Sequence, residues 1–209
     1  MPVDRATIRT ELERIGEVIQ APTRFILFGG CCMSARGIKD TTKDVDAVVD
    51  HDRAIHTLIE ELGRVGYQPA EEIPLTDSFD MWIYCERENV MSMDLFPPGR
   101  IFGCLQFSQR MAEATDEWFT EGNLTVELAP ANAVFLLKSV TGRWRDTPDR
   151  DIEDLQTLLD QGLISWERVQ EEWDAQLADG VPNEQEAREL ASEAMEILEQ
   201  KGYTVGFDP

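Results

Sequence analysis

The stretch FILFGGCCMSARGIKDTTKDVDAVVD, residues 25–50, decides how the rest of the chain is read. Phe25 to Phe28 is a short apolar run with the length and flanks of a buried strand. It breaks at Gly29-Gly30 into a small-residue segment, Cys31 to Gly37, long enough for about two helical turns. After a polar link, Val45 to Val49 reads as a second strand. Alternate residues of a strand face one side, so Asp44 and Asp46 project together. Two like charges held that close repel, and a divalent cation between them relieves the repulsion. Magnesium takes hard oxygen ligands and is usually held by one or two carboxylates together with substrate phosphate. Glycines just upstream let backbone N–H groups approach such a phosphate where a helix begins.

Phe28-Gly29-Gly30, thirteen intervening residues, then Asp44-Val45-Asp46-Ala47 resemble the signature of the DNA polymerase β-like nucleotidyltransferase superfamily. The Gly-Gly half alone is weak, and Asp-x-Asp is common at exposed strand ends; the joined pattern, flanked by apolar strands at the right spacing, is more specific. The resemblance implies an α+β fold, a mixed β-sheet flanked by helices, followed by a C-terminal helical subdomain. The expected division is residues 1–129 for the nucleotidyltransferase-like part and 130–209 for the helical part.

The charge balance is unusual. There are 41 acidic residues against 19 basic, a formal net charge of −22, and only four lysines. Acid spread along the whole chain fits a halophile's protein, because a Debye length of roughly 3 Å at 1 M salt makes self-repulsion tolerable. A nucleic-acid mimic, or a module for a basic partner, is the rival reading. Broad attraction to nucleic acid needs basic surface, so a polynucleotide would have to meet a local cluster such as Arg143, Arg145 and Arg150. No apolar run nears the roughly 20 residues of a membrane span, and no signal-peptide pattern opens the chain; the expectation is a cytoplasmic protein. Cys31, Cys32, Cys85 and Cys104 lack metal-site spacing and read as small buried hydrophobes, and two histidines make zinc improbable.

Along the chain, residues 4–20 read as a helix capped by Asp4 and closed at Ala21-Pro22-Thr23, with Ile8, Leu12, Ile15 and Ile19 on its apolar face. A second helix, capped by Asp50 or Asp52, carries Leu58, Ile59 and Leu62 and ends at Gly66. His51 and His56 flank it as boundary residues. Two β-like runs, Met81 to Cys85 and Val90 to Phe96, form a hairpin. Asp94 interrupts the second run between Met93 and Leu95, where a carboxylate needs a partner; an ion shared with Asp44 and Asp46 is one, and a strand-end cap at Pro97-Pro98 is the plainer alternative. The resemblance places the third catalytic carboxylate here. Asp80 is a weaker candidate. Residues 100–129 mix β-like runs with a helical piece around Gln109 to Ala114, and Trp118 and Phe119 read as core.

From Ala131 the pattern is helical. The segment holding Lys138, the bend with Arg143 and Arg145, and Arg150-Asp151-Ile-Glu-Asp154 resemble the second half of the abortive-infection, type IV toxin-like branch, whose motif has Lys where this chain has Arg150. That change keeps charge but not geometry. The plainer readings are a snorkelling Lys138 and ordinary first-turn carboxylates at Asp151 and Asp154. Residues 165–178 and 183–200 read as two acidic amphipathic helices, and 203–209 as a tail.

The resemblance implies transfer of a nucleoside monophosphate from a nucleoside triphosphate to an RNA, tRNA among them, or a protein. On that resemblance two Mg2+ ions, or Mn2+, are expected to be held by Asp44, Asp46 and Asp94, with Asp151 as a fourth carboxylate. Gly29, Gly30, Ser34, Lys138, Arg143 and Arg145 are the expected nucleotide contacts. A role in a toxin–antitoxin pair, with a cognate toxin or antitoxin as partner, follows from the same branch. Two alternatives stay open: a catalytically inactive protein of the same fold acting as an antitoxin or interaction partner, and an acidic module in which Asp-x-Asp is incidental.

Overall fold

The computed structural model describes residues 2–51, 55–69, 83–99, 101–102, 104–147, 149 and 151–209. Asp52, Asp80 and Arg150, and the side chains of His51 and His56, lie outside the described residues. In chain order the elements are β1 (Val3–Asp4), α1 (Arg5–Gly16), β2 (Thr23–Phe28), α2 (Gly29–Ala35), β3 (Thr41–Thr42), β4 (Val45–His51), α3 (Ile55–Arg64), β5 (Gln68–Pro69), β6 (Ile83–Arg87) and β7 (Met91–Phe96). There follow β8 (Ile101–Phe102), β9 (Leu105–Gln106), α4 (Gln109–Glu113), β10 (Asp116–Glu121), β11 (Leu124–Leu128), α5 (Ala131–Lys138), a 3-10 turn at Arg143–Arg145, α6 (Ile152–Asp160), α7 (Trp166–Asp179) and α8 (Glu184–Gln200). The architecture is the expected α+β one.

Two compact units divide the chain: residues 1–98 with 115–129, and residues 99–114 with 130–209. The stretch 99–114, expected with the sheet, thus belongs to the helical unit.

The first unit is built on a seven-stranded mixed sheet in the order β10-β11-β2-β4-β7-β6-β5. β2 runs antiparallel to β4, and β4 parallel to β7. The central strands are apolar because they lie within the sheet: Phe25, Leu27, Val45, Ala47, Met93 and Leu95 are each fully buried. Burial of each such side chain contributes about 1.5–3 kcal/mol relative to exposure. β7 alternates cleanly, with Met91, Met93 and Leu95 inward and Ser92, Asp94 and Phe96 partly open. Its neighbour β6 pairs with it antiparallel, as the hairpin reading requires, while Met81 and Trp82 lie outside the described residues. The outermost β5 contains Pro69, and an edge tolerates a residue with no N–H to donate. The other edge, β10, was not expected from its sequence: of Asp116 to Glu121 only Phe119 is buried, while Trp118 is partly open. Asp4 caps α1 by accepting the Thr7 N–H at 2.8 Å, as its position predicts, and α1 ends at Gly16, earlier than expected.

In the helical unit Gln176, fully buried on α7, holds the main chain of Gln106 at both its N–H and its carbonyl, each at 3.0 Å. Residues 203–209 are more than a tail, since Phe207 is buried edge-on against Trp173 with ring centroids 5.5 Å apart. All four cysteines are free and buried. Among the described residues no helix is long and apolar enough to cross a membrane.

Candidate active site

The backbone brings the sequence-predicted carboxylates of the first unit together. On β4 Asp46 lies opposite Phe28 on one side and opposite Asp94 on the other. Strands pair about 4.8 Å apart, and in-register neighbours point to the same face, so Asp46 and Asp94 stand side by side. Tyr84 of β6 is next in the row, paired with Asp94. Asp44 sits one residue before β4, and all three carboxylate residues are half-buried. The hydrophobic alternation of β7 decides this outcome: with Met93 and Leu95 in the core, Asp94 has to face the open side.

Gly29 opens α2 at φ +62°, a left-handed conformation that costs a side chain roughly 1–2 kcal/mol. A Cβ on it would stand 2.7 Å from Oδ2 of Asp46, and one on Gly30 would stand 2.9 Å from Oγ1 of Thr42. The glycine pair is therefore what lets the main chain lie against the carboxylate. Gly29→Ala should lower the thermal midpoint more than Gly37→Ala, because Gly37 has a similar φ of +75° but a Cβ there meets only Arg5 Nη1 at 3.8 Å. Thermal unfolding of the two variants checks this: equal losses would mean that the Asp46 carboxylate does not press on Gly29.

Among the described residues no three His, Cys, Asp or Glu side chains form a group able to hold a metal ion by themselves. What the donor set offers is a neighbouring pair, Asp46 and Asp94, with Asp44 two residues before Asp46, just ahead of the strand. That set suits a hard cation whose remaining ligands are water and substrate oxygens, as magnesium sites commonly are, and does not suit a closed structural cage.

Two side chains that no sequence motif picks out support this strand. The Thr42 hydroxyl donates to the Asp44 carbonyl at 3.1 Å, a local bond between residues two apart that Thr often makes. The Cys31 thiol donates to the carbonyls of Phe28 at 3.0 Å and Asp46 at 3.3 Å. Burial, then the charge of Asp46, pushes the Cys31 pKa well above the ordinary thiol value, which keeps the thiol protonated as a donor. Ser34 differs from expectation: it is completely buried and its hydroxyl has no hydrogen-bond partner, so it offers no open oxygen to a phosphate.

The remaining expected site residues gather in the helical unit. Lys138 is only 6% exposed, and its Nζ lies 2.6 Å from Asp151 Oδ1 and 2.8 Å from Asp154 Oδ2. Asp151 also accepts a fork from Arg143, Nε to Oδ2 at 2.6 Å and Nη2 to Oδ1 at 2.7 Å, and the Thr141 hydroxyl at 2.9 Å. Burial raises the Asp151 pKa, but the Lys138 charge and the bonds from Arg143 and Lys138 outweigh it and bring the value down to about 2. Burial likewise pulls Lys138 down, while Asp151 and Asp154 more than restore it and hold it above the ordinary value. Arg145 is paired with Glu193, Nε to Oε2 at 2.6 Å. Expected as nucleotide contacts and a fourth metal-side carboxylate, Lys138, Arg143 and Asp151 instead satisfy one another, and Lys138 neither snorkels nor presents a free ammonium. Asp151 and Asp154 are not ordinary solvated first-turn residues either: both are buried, and Asp151 has φ +65°.

No protein-family model matches the chain, and no curated protein matches it. Solved structures do. An antigenic nucleotidyltransferase-like protein from Paracoccidioides brasiliensis superposes over 97% of this chain and 91% of its own, with a TM-score of 0.54 and 13% identity. The fold is a nucleotidyltransferase-like fold. The antibiotic-resistance factor ANT(2'')-Ia covers 94% of each chain at a TM-score of 0.48 and 12% identity.

Proposed function

We propose that this protein is a magnesium-dependent nucleotidyltransferase that moves a nucleoside monophosphate from a nucleoside triphosphate to an RNA or protein acceptor. The observation that carries the reading is the register of β4 and β7, which sets Asp46 beside Asp94 on one face, next to the Gly29 bend. Asp44, Asp46 and Asp94 would bind the cation, and the Gly29-Gly30 main chain, free of side chains, would lie along the phosphates. Bound magnesium or manganese supplies phosphate charge neutralisation and activation of the acceptor hydroxyl. The acceptor class and a place in a toxin–antitoxin pair, with tRNA as one acceptor, come from the resemblance of the 131–155 segment to the toxin-like branch.

A second reading has its own observation. Lys138 and Arg143 pair with Asp151 instead of presenting their charges to a ligand, which favours a non-catalytic protein that keeps the fold as an antitoxin or interaction partner.

Label transfer from each of the four triphosphates onto total RNA and total protein, with Mg2+ or Mn2+ at molar KCl to suit the −22 net charge, separates the two. Metal-dependent labelling of one acceptor class is expected. Triphosphate binding without transfer to any acceptor favours the non-catalytic reading, and binding of neither metal nor triphosphate overturns both.

A further inference from the structure

The carboxylate pair stands on a main chain that two other side chains hold. Thr42, buried on β3, donates its hydroxyl to the carbonyl of Asp44, and Cys31, buried in α2, donates its thiol to the carbonyl of Asp46. The carbonyl oxygen of each acidic residue of the Asp-x-Asp motif thus accepts a side-chain donor from a different element. The grips are tied into the surroundings. The Thr42 main chain pairs with Val3 of β1, its Oγ1 lies against Gly30, and the Cys31 thiol also reaches the carbonyl of Phe28, the residue opposite Asp46 in the ladder.

We propose that Thr42 and Cys31 are positioning residues for the carboxylate pair, holding the peptide groups of Asp44 and Asp46 so that both side chains meet one cation. Neither touches the cation or the substrate. The physical need is geometric: a binding constellation has to be held to within about 0.5 Å, and a peptide group that tilts, even within its ladder, carries its side chain with it. Sequence position hides both roles. Thr42 reads as link and Cys31 as small core residue, and only the folded chain points their hydrogens at the two carbonyls.

The inference rests on the cation-binding reading of the site, and the test separates the two. Serine and alanine at each position differ by one donor group: Thr42→Ser keeps the hydroxyl and Cys31→Ser replaces the thiol donor by a hydroxyl, whereas Thr42→Ala and Cys31→Ala have no donor. Mn2+ affinity of the full chain, from the electron paramagnetic resonance signal of free Mn2+, is the readout, with thermal unfolding of each variant alongside. Expected is a loss of about five- to ten-fold in Mn2+ affinity for Thr42→Ala, the worth of one hydrogen bond, with Thr42→Ser within about two-fold of the parent. The Cys31 pair should follow the same order. A bond with a merely structural role would lower the thermal midpoint of the alanine variants and leave Mn2+ affinity where it is in the parent. If the parent binds Mn2+ and the alanine variants bind it equally well, the positioning role is overturned and the proposed function stands. Failure of the parent to bind Mn2+ overturns both.

Discussion

Asp46→Asn is expected to lower nucleotidyl transfer by about a thousand-fold or more, on the scale seen when a catalytic group is removed, while leaving the thermal midpoint within a few degrees of the parent's. Asparagine has nearly the shape of aspartate, so the close fit against Gly29 persists. The ladder bonds to Phe28 and Asp94 are main-chain bonds and survive as well. What disappears is the negative charge at the middle of the row, where a cation has to be shared with Asp94. Removing it also relieves the repulsion between in-register carboxylates. Asp50→Asn supplies the control: Asp50 lies on the same strand, exposed, and pairs in register with Arg24 at the far end from the bend, and its transfer rate should match the parent's. The measurement is initial-rate label transfer at saturating metal, with circular dichroism melts of all three proteins. Equal transfer by the parent and the Asp46→Asn protein would remove the active site from this strand.

The sheet's interior strands were legible because burial leaves a local mark. Phe25 to Phe28 is a continuous apolar run, Val45 to Val49 is apolar except for Asp46, and residues 91–96 alternate, so their faces follow from the sequence. The edge strand β10 leaves no such mark, since Asp-Glu-Trp-Phe-Thr-Glu buries only Phe119. Pairing is a different matter. That Asp46 meets Asp94, forty-eight positions later, depends on a parallel register set by the whole sheet, and the sequence could offer only that Asp94 needs a partner and that an ion shared with Asp44 and Asp46 would be one. The helical unit shows the limit most clearly. Lys138, Arg143 and Asp151 could be recognised as belonging together, but their spacing does not say whether they face a ligand or one another. Asp151 adopts φ +65°, a backbone state that no helical pattern announces, and the side-chain direction that results turns the motif inward.

Lys138→Met therefore reports on which of two tasks the lysine performs. A lysine that merely meets phosphate would leave stability untouched and raise the triphosphate KM. In this structure its ammonium joins two buried carboxylates, and removing one member of a buried ion cluster leaves charges that solvent cannot reach, at a cost of about 3–5 kcal/mol. Urea unfolding should show that loss. Arg143→Gln should cost less, about 1 kcal/mol or below, because the Arg143 side chain is 45% exposed and water replaces much of what it gives. The pH dependence has a definite sign. Asp151 has its folded pKa at about 2, below the ordinary 3.8, so its contribution is complete above about pH 4 and is lost as pH falls towards 2. A shift of that size corresponds to about 2 kcal/mol. With Lys138 gone the Asp151 pKa should rise and the acid-induced loss should begin at higher pH. An unfolding free energy for Lys138→Met within about 1 kcal/mol of the parent's, with an unchanged acid limb and a raised triphosphate KM, would return Lys138 to the nucleotide.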